Sequence, residues 1–254
     1  MRAAFLVFSM AATATEACLP NAGYVFHDMH DGDEKGVYAS EDAVTFQIFP
    51  EHSNESWTVY GLFDYDTCTA AVDFNVKGKP NPPPVKLNMT LYSMASAAGD
   101  YQIGLEFTDP SSTLAPATQP LNLWISHVKL GGPGRKATQP RAPCIDIPPS
   151  EKLLFNDMHD GDMKDVAVDG DTLTITPHSS TESWKVTSKF DANCVASIDF
   201  NVPGKPGPPP VALEATVWTM SPAKRGKEKV VLLFTDPSST IAPATATLNA
   251  WVPN

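Results

Sequence analysis

Apolar residues recur at every second position in short runs along this chain, and polar, glycine or proline residues separate the runs. Val44, Phe46 and Ile48 alternate in this way, as do Trp57 and Val59, then Val72, Phe74 and Val76. Val85, Leu87, Met89 and Leu91 follow, then Ile103, Leu105 and Phe107. A period of two puts one face of a β-strand in a core and the other in solvent. Leu121 and Leu123 continue the pattern, but Asn122 and Trp124 form an equally good opposite phase, which leaves room for Trp124 to face away from the main core. With the segment ending at Phe26, about seven strands are expected, and no stretch carries the period of an amphipathic helix.

The whole pattern then repeats. Asp28-Met-His-Asp31-Gly-Asp33 returns as Asp157-Met-His-Asp160-Gly-Asp162, the run from Cys68 to Val85 returns as Cys194 to Val211, and Phe107-Thr-Asp-Pro-Ser-Ser-Thr returns as Phe234-Thr-Asp-Pro-Ser-Ser-Thr. The offsets are 157 − 28 = 129, 194 − 68 = 126 and 234 − 107 = 127, so the chain is a tandem duplication. Each copy, about 110 residues, is near the modal size of a domain. Seven short strands with turns at regular intervals predict two all-β, antiparallel β-sandwich domains of the immunoglobulin-like class. The tryptophan spacing is not that of a true immunoglobulin domain, since Trp57 lies 57 − 18 = 39 residues after the first cysteine.

Domain boundaries follow from composition. Residues 1–17 read as a signal peptide: Arg2, an apolar run from Ala3 to Ala12, then small residues with cleavage options at Ala12-Thr13-Ala14 or Thr15-Glu16-Ala17. Repeat 1 then spans 18–127, a Gly/Pro/basic linker 128–143, and repeat 2 144–254. The four cysteines allow three pairings. The spacings 68 − 18 = 50 and 194 − 144 = 50 favour Cys18–Cys68 and Cys144–Cys194, one bridge per repeat. Export and disulfides together imply a secreted, extracellular protein, and no stretch has the length of a membrane span. The net charge is −11, which disfavours a nucleic-acid partner.

Several residues invite chemistry. Asp28, Asp31 and Asp33, with their twins Asp157, Asp160 and Asp162, place three carboxylates around a glycine, a donor set suited to calcium. The same segment also reads as an acidic turn whose side chains cap backbone amides. His30 and His159, with His52 or His178, are weaker candidates for zinc or copper. The Asp109 and Asp236 loops read as turns opened by aspartate and proline. Trp124 and Trp251 are candidates for a ligand-binding face of exposed aromatics. Asn54 and Asn88 stand in glycosylation sequons that repeat 2 lacks.

With no visible catalytic constellation, these residues favour a secreted, non-enzymatic binding or structural protein, its partner a glycan, an extracellular protein or a calcium-rich matrix. One alternative is an extracellular metal-dependent enzyme or redox protein using the duplicated Asp/His segment. Another is a carrier holding a small apolar ligand, which requires an internal cavity.

Overall fold

The computed structural model describes residues 18–19, 23–40, 45–79, 86–111, 120–127, 144–148, 151–178, 181–205, 212–224, 226–238 and 247–254. The expected signal peptide, the linker and both triproline runs lie outside these residues.

The protein is all-β and antiparallel, and its described residues contain no helix. Repeat 1 comprises β1 (Gly23–Asp28), β2 (Glu34–Ala39), β3 (Thr45–Pro50), β4 (Val59–Leu62), β5 (Thr69–Asp73), β6 (Lys86–Ser96), β7 (Tyr101–Thr108) and β8 (Pro120–Ser126). Repeat 2 comprises β9 (Leu153–Asp157), β10 (Met163–Asp169), β11 (Thr172–Pro177), β12 (Val186–Lys189), β13 (Val195–Asp199), β14 (Ala212–Pro222), β15 (Lys229–Thr235) and β16 (Thr247–Pro253). The eighth strand, beyond the seven expected, is β2 and its counterpart β10. Alternation is hard to see in β2 because Lys35 points inward and is buried while Tyr38 points outward.

Connectivity also departs from the expected immunoglobulin-like class. Within a repeat each strand pairs with its sequence neighbour, and the last strand returns to the first: β8 pairs with β1, and β16 with β9. Single bridges, Asp64–Thr69 and Phe190–Ala196, lie in the turns after β4 and β12, which themselves form the two ends of the sheet. The result is a meander that curls around one core and leaves few exposed strand edges. Each strand is followed along the chain by its neighbour in space, so the repeat lacks the return crossover of a Greek key.

Each ring fills with its own apolar residues. In repeat 1, Phe26, Phe46, Ile48, Trp57, Leu105 and Phe107 are almost wholly buried, and repeat 2 places Phe155, Leu173, Ile175, Trp184, Leu232 and Phe234 at the matching positions. The disulfides are Cys18–Cys68 and Cys144–Cys194, as the spacing predicts. Closing a loop of this size stabilises each repeat by about 4 kcal/mol in the chain-entropy picture. Cys68 and Cys194 both adopt left-handed backbone, at φ of 53° and 59°, in the turn that leads into β5 or β13. Such a conformation is uncommon for a residue with a Cβ, and its retention in both copies ties it to the bridge. The lysine of each Gly-Lys-Pro block has a role too. Lys79 lies 5.4 Å from the Trp57 ring centre and Lys205 lies 5.7 Å from that of Trp184, cation–π contacts that close one end of each core.

The two rings are joined into one sheet. The first half of β6 pairs with β5, and its second half pairs antiparallel with β14 from the other repeat. Met94 is opposite Met220, and these are matching positions (220 − 94 = 126), so a pseudo-two-fold axis passes between them. A third core forms around this axis from Met29, Met94, Leu123 and Ile125 and from Met158, Trp218, Met220 and Val252. This geometry is that of an isologous dimer built within a single chain.

Candidate functional site

The duplicated aspartate turn gathers three carboxylates around one lysine in repeat 1. Asp28 ends β1, and the chain reverses at once: the Gly32 N–H donates to the Asp28 carbonyl at 2.9 Å and Gly32 takes a φ of +76°. Only glycine adopts that conformation without a Cβ penalty. The Asp28 carboxylate is buried and accepts from the His30 N–H at 3.0 Å and from Asn122 Nδ2 at 2.7 Å. Asp31 accepts from the Asp33 N–H at 2.8 Å. The carboxylates do converge, and at their centre is the buried ammonium of Lys35, 3.3 Å from Asp31, 3.4 Å from Asp33 and 3.9 Å from Asp28.

Repeat 2 builds the same turn. Asp157 accepts from the His159 N–H and from Asn249 Nδ2, and Lys164 lies 3.8 Å from Asp160 and 3.5 Å from Asp162. Burial, then the neighbouring Asp31 charge, raises the Asp28 pKa against its hydrogen bonds from Asn122 and His30. Burial and Asp157 likewise raise that of Asp160. The turn also serves the seam between repeats, because it places Met29 and Met158 in the shared core. Sequence reasoning missed Lys35, Lys164, Asn122 and Asn249. Their signal was available, since each is kept in both copies.

Other expected site residues fall elsewhere. His30 and His159 are exposed and contribute backbone N–H groups. His52 pairs with Glu34 at 2.8 Å, and His178 pairs with Asp165 at 2.8 Å. Glu34 also meets His127 at 3.4 Å, and the His127 ring lies 6.1 Å from that of His27. Burial, then the charge on His127, lowers the His27 pKa. Among the described residues no group of three or more His, Cys, Asp or Glu is arranged to hold a metal ion.

Trp124 and Trp251 do not form an exposed aromatic face. Each is buried and packs on a phenylalanine, with ring centres 4.5 Å apart: Trp124 on Phe107 and Trp251 on Phe234. Both phases of β8 are buried because Trp124 faces its own ring while Leu123 and Ile125 face the seam. Asp109 accepts from the Ser111 N–H and hydroxyl at 2.8 and 2.7 Å, as Asp236 does from Ser238, so both form Asx turns. Asn54 and Asn88 are exposed.

A surface that sequence reasoning did not single out lies on the outer face of β2, β3 and β4. Register puts Tyr38 beside Gln47 and Gln47 beside Tyr60, and Leu62 beside Thr45. Tyr38, Tyr60 and Leu62 are 45%, 71% and 63% exposed. Together they line an open recess of about 420 Å³ whose lining carries no charged side chain.

Comparisons with protein-family models, with curated proteins and with solved structures found no match.

Proposed function

We propose that this chain is a secreted, non-enzymatic binding or structural protein in which two homologous modules are fused into one body. One observation carries this reading. The Asp28 and Asp157 turns, identical in both copies, use their carboxylates on their own lysine, asparagine and backbone partners. A general acid, base or nucleophile needs a free atom within reach of a substrate, whereas the Asp28 and Asp157 carboxylates are buried and already accept hydrogen bonds, and the partly exposed Asp31, Asp33, Asp160 and Asp162 are paired with a lysine. The metal-dependent alternative relied on the same segment and loses its main support there. The carrier alternative required an internal cavity, and large aromatic and aliphatic side chains fill both rings.

Two further features agree with the reading. Both cysteine pairs are oxidised, which fits an oxidising compartment. No helix among the described residues is long and apolar enough to cross a membrane. The ligand classes that suit such a protein are glycans, extracellular proteins and a calcium-rich matrix.

The test is capture followed by chemical analysis. The mature, disulfide-bonded chain is applied to glycan and extracellular-protein arrays, with calcium and with chelator. The expected outcome is retention of one ligand class, recovered unchanged in mass after prolonged incubation. Chemical conversion of the captured ligand, or no retention on either array, overturns the proposal.

A further inference from the structure

The duplication supplies a control that few proteins offer: the same fold, with and without a given surface. Along the outer face of repeat 1, Tyr38, Gln47 and Tyr60 form one row across three strands. The matching row of repeat 2 is Ala167, Thr174 and Thr187, and Lys189 replaces Leu62. Repeat 2 folds the same meander without these aromatics, so the fold does not require them. Exposed side chains of this size contribute little to a curled meander, whose stability comes from the inward face.

The chemistry of the row is specific. Neighbouring strands are about 4.8 Å apart, so the two phenol rings stand roughly 10 Å apart with an amide midway. Tyrosine presents an apolar ring face with a polar tip, and Gln47 adds two donors and an acceptor. The recess has no charge in a chain of net charge −11, so it suits an uncharged ligand with apolar faces and many hydroxyls. It is also small. Stable protein–protein interfaces engage roughly 20–30 residues a side, whereas eight residues line this recess. The geometry points to this face of repeat 1 as a binding site for a neutral oligosaccharide, with Tyr38 and Tyr60 stacking on two sugar rings and Gln47 bonding the hydroxyls between them. The assignment rests on the binding-protein reading above and names its ligand class and its site.

The test is titration calorimetry on the full mature chain. The probes are four neutral hexasaccharides, cellohexaose, laminarihexaose, mannohexaose and chitohexaose. At least one is expected to bind, and Y38A/Y60A should weaken it tenfold or more without changing the melting temperature. Y38F/Y60F should retain the binding, because stacking needs the ring, and T187A in repeat 2 should leave it unchanged. Equal binding by Y38A/Y60A would overturn the site while leaving the binding-protein reading intact. Failure of all four probes at millimolar concentration would overturn the assignment, and capture of an extracellular protein would then identify the other ligand class. A self-association in sedimentation that Y60A abolishes would also overturn it, making the occupant a second copy of the chain.

Discussion

At the seam between repeats, Glu106 of β7 is buried and accepts two hydrogen bonds of 2.8 Å from Lys229 of β15, and Tyr92 donates to it at 3.3 Å. Across the pseudo-two-fold axis the matching residues are Leu233, Gln102 and Trp218. One side of the seam is thus a charged, hydrogen-bonded cluster, and the other is apolar apart from Gln102, which donates to the Ser126 carbonyl at 3.1 Å. Among the described residues the ring interiors stay apolar in both copies, even where size changes, as from Met89 to Ala215. The seam keeps matching methionines at its axis, but its flanks and the outer face of β2–β4 carry different chemistry in each copy. A symmetric seam can pair any two copies. An asymmetric one pairs repeat 1 with repeat 2 and leaves a buried charge when repeat 1 meets its own kind, a specificity that buried polar groups supply in other assemblies.

The largest effect should come from breaking that asymmetry. Glu106→Leu places the repeat 2 residue in repeat 1, strands Lys229 and removes the acceptor of Tyr92. The expected cost is about 3 kcal/mol in urea unfolding, near the lower end for a broken buried pair because Lys229 keeps some solvent contact. Adding Lys229→Gln makes this side resemble the other, and most of the loss should return. A double variant as unstable as the sum of the single ones would show that the two groups are not coupled.

The aspartate turns test the conserved half of the comparison. Lys35→Met removes the ammonium from three carboxylates and should cost about 2 kcal/mol. Lys164→Met should cost about half as much, because among the described residues it forms ion pairs within 4 Å with Asp160 and Asp162 but not with Asp157. Millimolar calcium should leave the melting temperature of the wild type unchanged and raise that of Lys35→Met, whose carboxylates lack a counter-charge. A calcium-dependent rise in the wild type would reveal a cation site that the lysines do not fill.

Much of the scaffold was legible because it depends on local rules. Alternation of Phe46 with Ile48, or Leu105 with Phe107, reports a half-buried strand whatever its neighbours. Equal cysteine spacing in two copies reports a bridge within each. What stayed hidden depends on pairing. Whether Tyr38 and Tyr60 meet is decided by the register of three strands, and a tyrosine in an alternating run reads as core until its phase is known. Trp124 was ambiguous for the opposite reason, because both faces of β8 are covered and neither phase is polar. The order of the strands was also out of reach, since a meander and a sandwich of the same strands share one alternation. The spacing of the aspartates reports a convergence of charge, but not that its cation is Lys35, two residues after Asp33, because a lysine is so rarely buried that it reads as solvated.

The smallest effect concerns His27, whose counterpart in repeat 2 is Asn156. Burial and the nearby His127 hold its pKa below the ordinary value of 6.5, against the opposing pull of Glu34 and Asp31, and Lys35 adds to the lowering. Between its folded and unfolded values the unfolded chain therefore binds more protons than the folded one, so stability rises with pH across that window. The contribution is fully present above pH 6.5 and is lost as the pH falls through the unfolded and then the folded value. His27→Asn places the repeat 2 residue in repeat 1 and removes the group that resists protonation. Melting temperatures measured from pH 8 to pH 5 should fall less steeply in that variant than in the wild type, by a few degrees at most at the acid end. Identical slopes would show that His27 does not set the acid sensitivity of repeat 1.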